Sequence, residues 1–232
     1  MKELLTEMER DFVIVHLIFS IICGIVLFIP GMPIGIKLFI LVIVYNIIIP
    51  LVGLLRNYTD WLNIWLFAFI LSMLQIWPDW FLSAQLEILV FPEDGLFKIG
   101  TVSGYMLFLW AIPFFIILFI GHSVNEGGSL NTTYLIVALM SLLIFGISEM
   151  TIWMIGSWHA QNVTMIGHAA IYIFIPEVIL GISTYYSYTQ IKEKNHLVKI
   201  PAAFIVMLLY LGSAVFFYFL FEKVLFIQSV LI

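Results

Sequence analysis

The chain has 232 residues, of which 63% are hydrophobic, 16% aromatic and only 10% charged, with a mean hydropathy of +1.16. A soluble domain carries about 25% charged residues, so a soluble globular protein is excluded. Nine Lys and Arg against fourteen Asp and Glu give a net charge of −5, and no basic run is present of the kind that recruits nucleic acid or a polybasic lipid site.

The apolar residues run in blocks of roughly 20, the length that carries an α-helix through about 30 Å of hydrocarbon. The first block, 12–30, follows a short charged head containing Lys2 and Arg10. It is too long for a signal-peptide core and no small-x-small cleavage site follows, so it reads as an uncleaved span. Further spans are predicted over 34–55, 61–77, 101–121, 133–158, 166–188 and 201–222, bounded by Gly, Pro, Asn and charged residues. Residues 81–91 read as a re-entrant or interfacial helix between the third and fourth spans. The expectation is an all-α, polytopic membrane bundle of seven transmembrane helices forming one integral-membrane domain over 1–232. With the N-terminus inside, the cytoplasmic segments hold Lys2, Arg10, Arg56, Lys192, Lys194 and Lys199, and the opposite face holds only Lys37, Lys98 and Lys223. That bias predicts an N-in, C-out orientation. The single Cys23 excludes an internal disulfide.

Acidic residues inside apolar blocks carry the functional signal, because an ionisable group at the bilayer centre costs about 2.5–3.5 kcal/mol even on the lenient insertion scale. Glu3, Glu7, Glu9, Asp11, Asp60, Glu126, Glu193 and Glu222 lie in the head, in loops or at a span end, and read as solvated. Asp79, Glu87, Glu93 and Asp94 follow the third span; Glu149 lies within the fifth and Glu177 within the sixth. All six are expected on the outer side. Basic partners are scarce there, so a carboxyl in that setting is a candidate proton donor. The plain alternative is a carboxyl that hydrogen-bonds a neighbouring helix and only packs. Pro176 directly precedes Glu177 and frees a backbone carbonyl one turn earlier.

His159 and His168 flank the connection between the fifth and sixth spans, but they lack the His-x-x-x-His or Glu-x-x-His spacing of a metal site. No metal or cofactor is therefore expected, and no Gly-x-Ser-x-Gly, Walker, Rossmann or Asp-rich diphosphate motif is present. Trp61, Trp77, Trp80 and Trp158 stand near span ends, where indoles anchor at the membrane interface. Trp65, Trp110 and Trp153 are deeper. Their faces can line a cavity beside the acids and stabilise a carbocation, at about 0.5–2 kcal/mol per ring, although core packing is the ordinary role of any one of them.

The stretch Gln75-Ile-Trp77-Pro-Asp79-Trp80, then Phe91-Pro92-Glu93-Asp94-Gly95-Leu96-Phe97, then Trp110 resembles one repeat of the small integral-membrane lycopene cyclases. Trp158-His159, Gly167 and Ile175-Pro176-Glu177 resemble a second copy. The resemblance covers about half the chain, and two features depart from the family pattern: Glu follows Pro directly, and Val178 stands where a second acid is expected. It implies a duplicated bundle whose acids Glu93, Asp94 and Glu177 serve proton-initiated terpenoid or carotenoid cyclisation. The combined expectation is an enzyme acting on a hydrophobic isoprenoid without a cofactor. Glu177 or Glu93 is the proton donor and Glu149 or Asp94 the acceptor, with Trp65, Asp79, Trp110, Trp153 and Trp158 around the substrate. The rival reading is a transporter or sensor in which the same carboxylates handle a proton or cation.

Overall fold

The computed structural model describes residues 5–225. The architecture is all-α, with 76% of the described residues in helix. Helix α1 spans Glu7–Leu27, α2 Ile34–Arg56 and α3 Thr59–Leu74, which runs on through α4, Ile76–Trp80, and a π-helical turn over Phe81–Gln85. The short α5, Met106–Leu109, leads into α6, Ala111–Gly127. Helix α7 spans Leu130–Thr151, α8 Phe174–Ile191 and α9 Lys199–Tyr218. Local chemistry sets the ends. A capping box between Thr6 and Glu9 starts α1, Asn57 in the left-handed conformation ends α2, and the Ser129 hydroxyl accepts from the Thr132 N–H at the start of α7.

Six helical rods are long and apolar enough to cross a membrane: Glu7–Leu27, Ile34–Arg56, Thr59–Gln85, Met106–Gly127, Leu130–Ile155 and His196–Leu225. Their outward faces expose large apolar side chains, among them Ile21, Ile25, Leu54, Leu139, Ile147, Ile205 and Phe216. In water such a surface would aggregate; in a bilayer it is solvated. The chain is a multi-pass integral membrane protein. Helix α8 is not one of the six, because Glu177 and its Ser, Thr and Tyr residues lower its hydropathy. It sits between α7 and α9 with Pro176, Glu177, Leu180, Gly181, Thr184 and Tyr185 buried.

Three boundaries differ from the sequence expectation. The third helix does not stop at residue 77: Gln75 keeps helical angles, and Pro78 falls in the first turn of α4, where a missing N–H is harmless. Asp79 therefore lies inside the bundle. Segment 81–91 is a π-helical turn followed by a strand, β1 (Leu89–Val90), and not a separate helix. Residues 101–105 and 166–173 fall in two hairpins over one end of the bundle and the turns that follow them, the second a 3-10 turn over Ile171–Ile173, so the helices beyond them start later than expected. The first hairpin pairs β2 (Lys98–Ile99) with β3 (Val102–Ser103). The second pairs β5 (Met165–Ile166) with β6 (Ala169–Ala170), and β4 (His159–Ala160) pairs antiparallel with β1. Two of the acids expected to be solvated are also held: Asp11 accepts from Arg56 Nε at 2.7 Å and from the Tyr58 hydroxyl at 3.0 Å, and Glu222 accepts from the N–H and hydroxyl of Thr164, both at 2.9 Å.

The close approach of α7 to α8 positions the acids. A Cβ on Gly181 would fall 1.7 Å from Ser141 Oγ, so only glycine permits this helix contact. Gly181→Ala should therefore force the two helices apart and cost about 1–3 kcal/mol, read as a lower unfolding temperature in detergent; unchanged stability would show that the contact is not tight.

Candidate functional site

Under the hairpins, α4, the junction of α5 and α6, α7, α8 and the loop just before β4 bring three carboxyl groups and two indoles together. Asp79, from α4, is 2% exposed, and its Oδ2 accepts from Trp110 Nε1 at 3.0 Å. Glu149, two residues before the end of α7, accepts at Oε1 from Trp158 Nε1 at 3.1 Å. Glu177, in the first turn of α8, is also 2% exposed, and its Oε2 has no hydrogen-bond partner among the described residues. None of the three carboxyls has a Lys, Arg or His within ion-pair distance among the described residues. The donors that meet two of them are neutral indole N–H groups, which satisfy an acceptor without adding charge to an apolar interior.

Two cavities share this cluster. The larger is about 180 Å³ and apolar, with Glu149 and Glu177 in its wall beside Trp110, Trp158, Phe145 and Pro113. Its outer wall is built from Ile112, Ile116, Ile144, Ser148 and Ile152, partly exposed residues on the outer sides of α6 and α7. The smaller is about 30 Å³, with Asp79, Glu149, Tyr172 and Tyr210 in its wall, enough for about one water molecule. Glu149, Trp110 and Trp158 line both. An apolar cavity of about 150 Å³ accepts benzene, so the larger one has room for an apolar fragment of one ring's size, with two carboxyls in its wall.

The structure thus gathers Glu177, Glu149, Asp79, Trp110 and Trp158. It does not bring in the other expected site residues. The Glu93 side chain is 92% exposed and pairs with Lys98 Nζ at 3.2 Å on the outside of the first hairpin loop. Asp94 is buried but engaged: it accepts from the Leu96 N–H and the Ser103 hydroxyl, and its own carbonyl accepts from the Gly35 N–H at 2.9 Å, tying this loop to α2. Trp65 donates to Asn46 Oδ1 at 3.2 Å between α2 and α3. Trp153 is 38% exposed, donates to the Met150 carbonyl and stacks on His168 with ring centres 3.7 Å apart. Tyr172 and Tyr210 also line the smaller cavity; a tyrosine hydroxyl within an apolar run, as at Tyr210, is a sequence signal that a polar group lies nearby. No group of three or more His, Cys, Asp or Glu suited to a metal occurs among the described residues.

The roof over the site is stitched from both loops. Strand β1 pairs with β4, Gln161 donates from its N–H to the Ile88 carbonyl and from Nε2 to the Glu87 carbonyl, and the Tyr105 and Ser157 hydroxyls lie 2.7 Å apart. Burial pushes the Tyr105 phenol up to about 12, from an ordinary 10. The stability that goes with its neutral form is fully present below about pH 10 and lost as pH rises through about 12. Tyr105→Phe should lower stability by about 1–3 kcal/mol, the cost of stranding the buried Ser157 hydroxyl, and by the same amount at every pH from about 5 to about 9. Thermal melts of both proteins across that range check it; a difference that varies with pH would assign the bond to another titrating group.

The chain belongs to the family described as a domain of unknown function (DUF6989), whose model matches residues 76–221, from α4 through α9. No curated protein matches it, and no solved structure does.

Proposed function

We propose that this protein is an integral-membrane enzyme that isomerises or cyclises a hydrophobic isoprenoid by proton-initiated chemistry, as the resemblance to the small lycopene cyclases implies. The observation that carries the reading is the apolar cavity walled by two carboxyls and two indoles, one of those carboxyls holding an oxygen free of hydrogen bonds. Partly exposed residues of α6 and α7 form its outer wall, which suits a substrate dissolved in the bilayer.

The chemistry balances without an oxidant or reductant. The Glu177 carboxyl delivers its proton to one carbon of a double bond, leaving a cation on the other. In a cyclisation, a second double bond of the same chain attacks that cation, forming a carbon–carbon bond and moving the charge. Loss of a proton from the neighbouring carbon to Glu149 restores a double bond, and the product is an isomer of the substrate. Glu149 and Glu177 line the same cavity, so the proton can return to Glu177 for the next turnover. The faces of Trp110 and Trp158 stabilise the cation by about 0.5–2 kcal/mol each, and apolar walls keep water from capturing it. The apolar lining favours this reading over proton or cation transport, which needs a polar path.

In the membrane we propose seven crossing helices, the six rods and α8, with the N-terminus cytoplasmic and the C-terminus outside. Reporter fusions at the two termini should fall on opposite faces; both on one face would remove the seven-span arrangement.

The test of function is to express the chain in a host that makes linear carotenoids and shorter polyprenoids, and to compare lipid extracts by mass spectrometry. A new isomer of a host isoprenoid is expected with the wild type. Glu177→Gln should abolish it at unchanged thermal stability, because Gln keeps the shape but cannot deliver a proton. Glu93→Gln, on the surface, should leave product formation intact. Wild-type turnover by Glu177→Gln, or loss of product in Glu93→Gln, would assign the acid elsewhere.

A further inference from the structure

The two loops that roof the site follow one plan. Asp79 stands ten residues before β1, and Glu149 ten before β4. Trp110 stands twelve residues after the start of β2, and Glu177 twelve after the start of β5. Each hairpin turns on a glycine in the left-handed region, Gly100 with φ 62° and Gly167 with φ 63°. Tyr105 and Tyr172 hold matching places after the two hairpins. The pairing of β1 with β4 joins Leu89 to Ala160 and Val90 to His159, so matching residues cross over, as a twofold axis between the loops requires. The loops differ in the link between strand and hairpin, 91–97 against 161–164. Glu93 and Asp94 lie in the longer link and have no counterparts.

Matching positions therefore hold different chemistry: Asp79 matches Glu149, and Trp110 matches Glu177. Asp79 reaches only the small cavity, while Trp110 lines both. The Asp79 carboxyl thus lies outside the lining of the larger cavity, yet it holds an indole that faces that cavity. The Trp110 ring is also flanked by Phe114, Phe145 and Tyr210, with ring centres 5.7, 5.4 and 5.9 Å away, and the bond to Asp79 anchors its N–H edge.

We propose that the site is a duplicated frame with divided roles, in which Glu149 and Glu177 of the second copy move the proton while Trp110 of the first offers its ring to the cation and Asp79 is the positioning residue that holds that ring. The proton and cation roles rest on the isoprenoid reading; the Asp79 role rests on geometry alone.

The experiment uses the full chain in detergent, with ¹⁵N-labelled tryptophan and the Trp110 indole resonance assigned by its loss in Trp110→Phe. Asp79→Asn keeps an acceptor oxygen and should leave that resonance near its wild-type place, with product formation within about threefold of wild type. Asp79→Leu removes the acceptor, so it should shift the resonance and lower product formation about tenfold, the scale of one misplaced cation–π contact. Should Asp79→Leu not fold, Asp79→Ser, too short to reach the indole, gives the same test. An unmoved resonance in Leu or Ser would overturn the positioning role. So would loss of product in Asn with the resonance in place, which would make Asp79 a proton-transfer group. The resonance is read without substrate, so failure of the isoprenoid reading would leave this result standing.

Discussion

A carboxyl group in an apolar bundle must be met by a donor, and here two of the three are met by donors that carry no charge. Asp79 takes the indole N–H of Trp110, and Glu149 that of Trp158. A lysine or arginine in those places would hold the carboxylate ionised and fill the cavity with a solvated head. An indole satisfies one oxygen, contributes a large apolar face and leaves the second oxygen open. The rest of the site depends on this choice, because the rings that satisfy the acids are also the rings that wall the cavity.

That arrangement needs helices held at short range and a closed end. The glycine contact between α7 and α8 brings Glu149 and Glu177 to one cavity. The closed end comes from two-residue strands and their hairpins, which would be marginal alone but are pinned to each other by the Tyr105 to Ser157 bond and to the bundle by Asp94 on Gly35 and Glu222 on Thr164. Backbone groups in these loops are tied within the roof by the strand pairs and by the Gly104 N–H to Phe97 and Gln161 N–H to Ile88 bonds.

Much of this was legible in the sequence, and the failures have physical causes. Blocks of apolar residues the length of a bilayer gave the bundle, and Glu149 and Glu177 stood out because acids in such blocks are costly. Asp79 read as a loop residue because Pro78 looks like a helix end, whereas a proline in a first turn is neutral. The hairpins leave no signal in the sequence, since strands of two residues have no periodicity to read, and Val and Ile serve lipid-facing helices equally well. Trp65 and Trp110 could not be told apart because every face of such a helix is apolar, so the pattern does not say which side meets a cavity. Glu93 and Asp94 were singled out by a short motif, yet they lie in the link that the second loop lacks.

That last mismatch shows why internal duplication is hard to see in a chain of this kind. Sequence comparison of the two copies aligns like with like, and so set Glu93 against Glu177, carboxylate against carboxylate. Backbone geometry aligns by position, and sets Trp110 against Glu177 and Asp79 against Glu149. A symmetric frame with identical acids in both halves would crowd four carboxyls around two adjoining cavities, at a high desolvation cost. Replacing one acid by an indole removes a charge, gives the facing carboxyl its donor and adds a π-face. Different residues at the matching positions thus relieve that crowding, while the turns and spacing of the two loops stay alike.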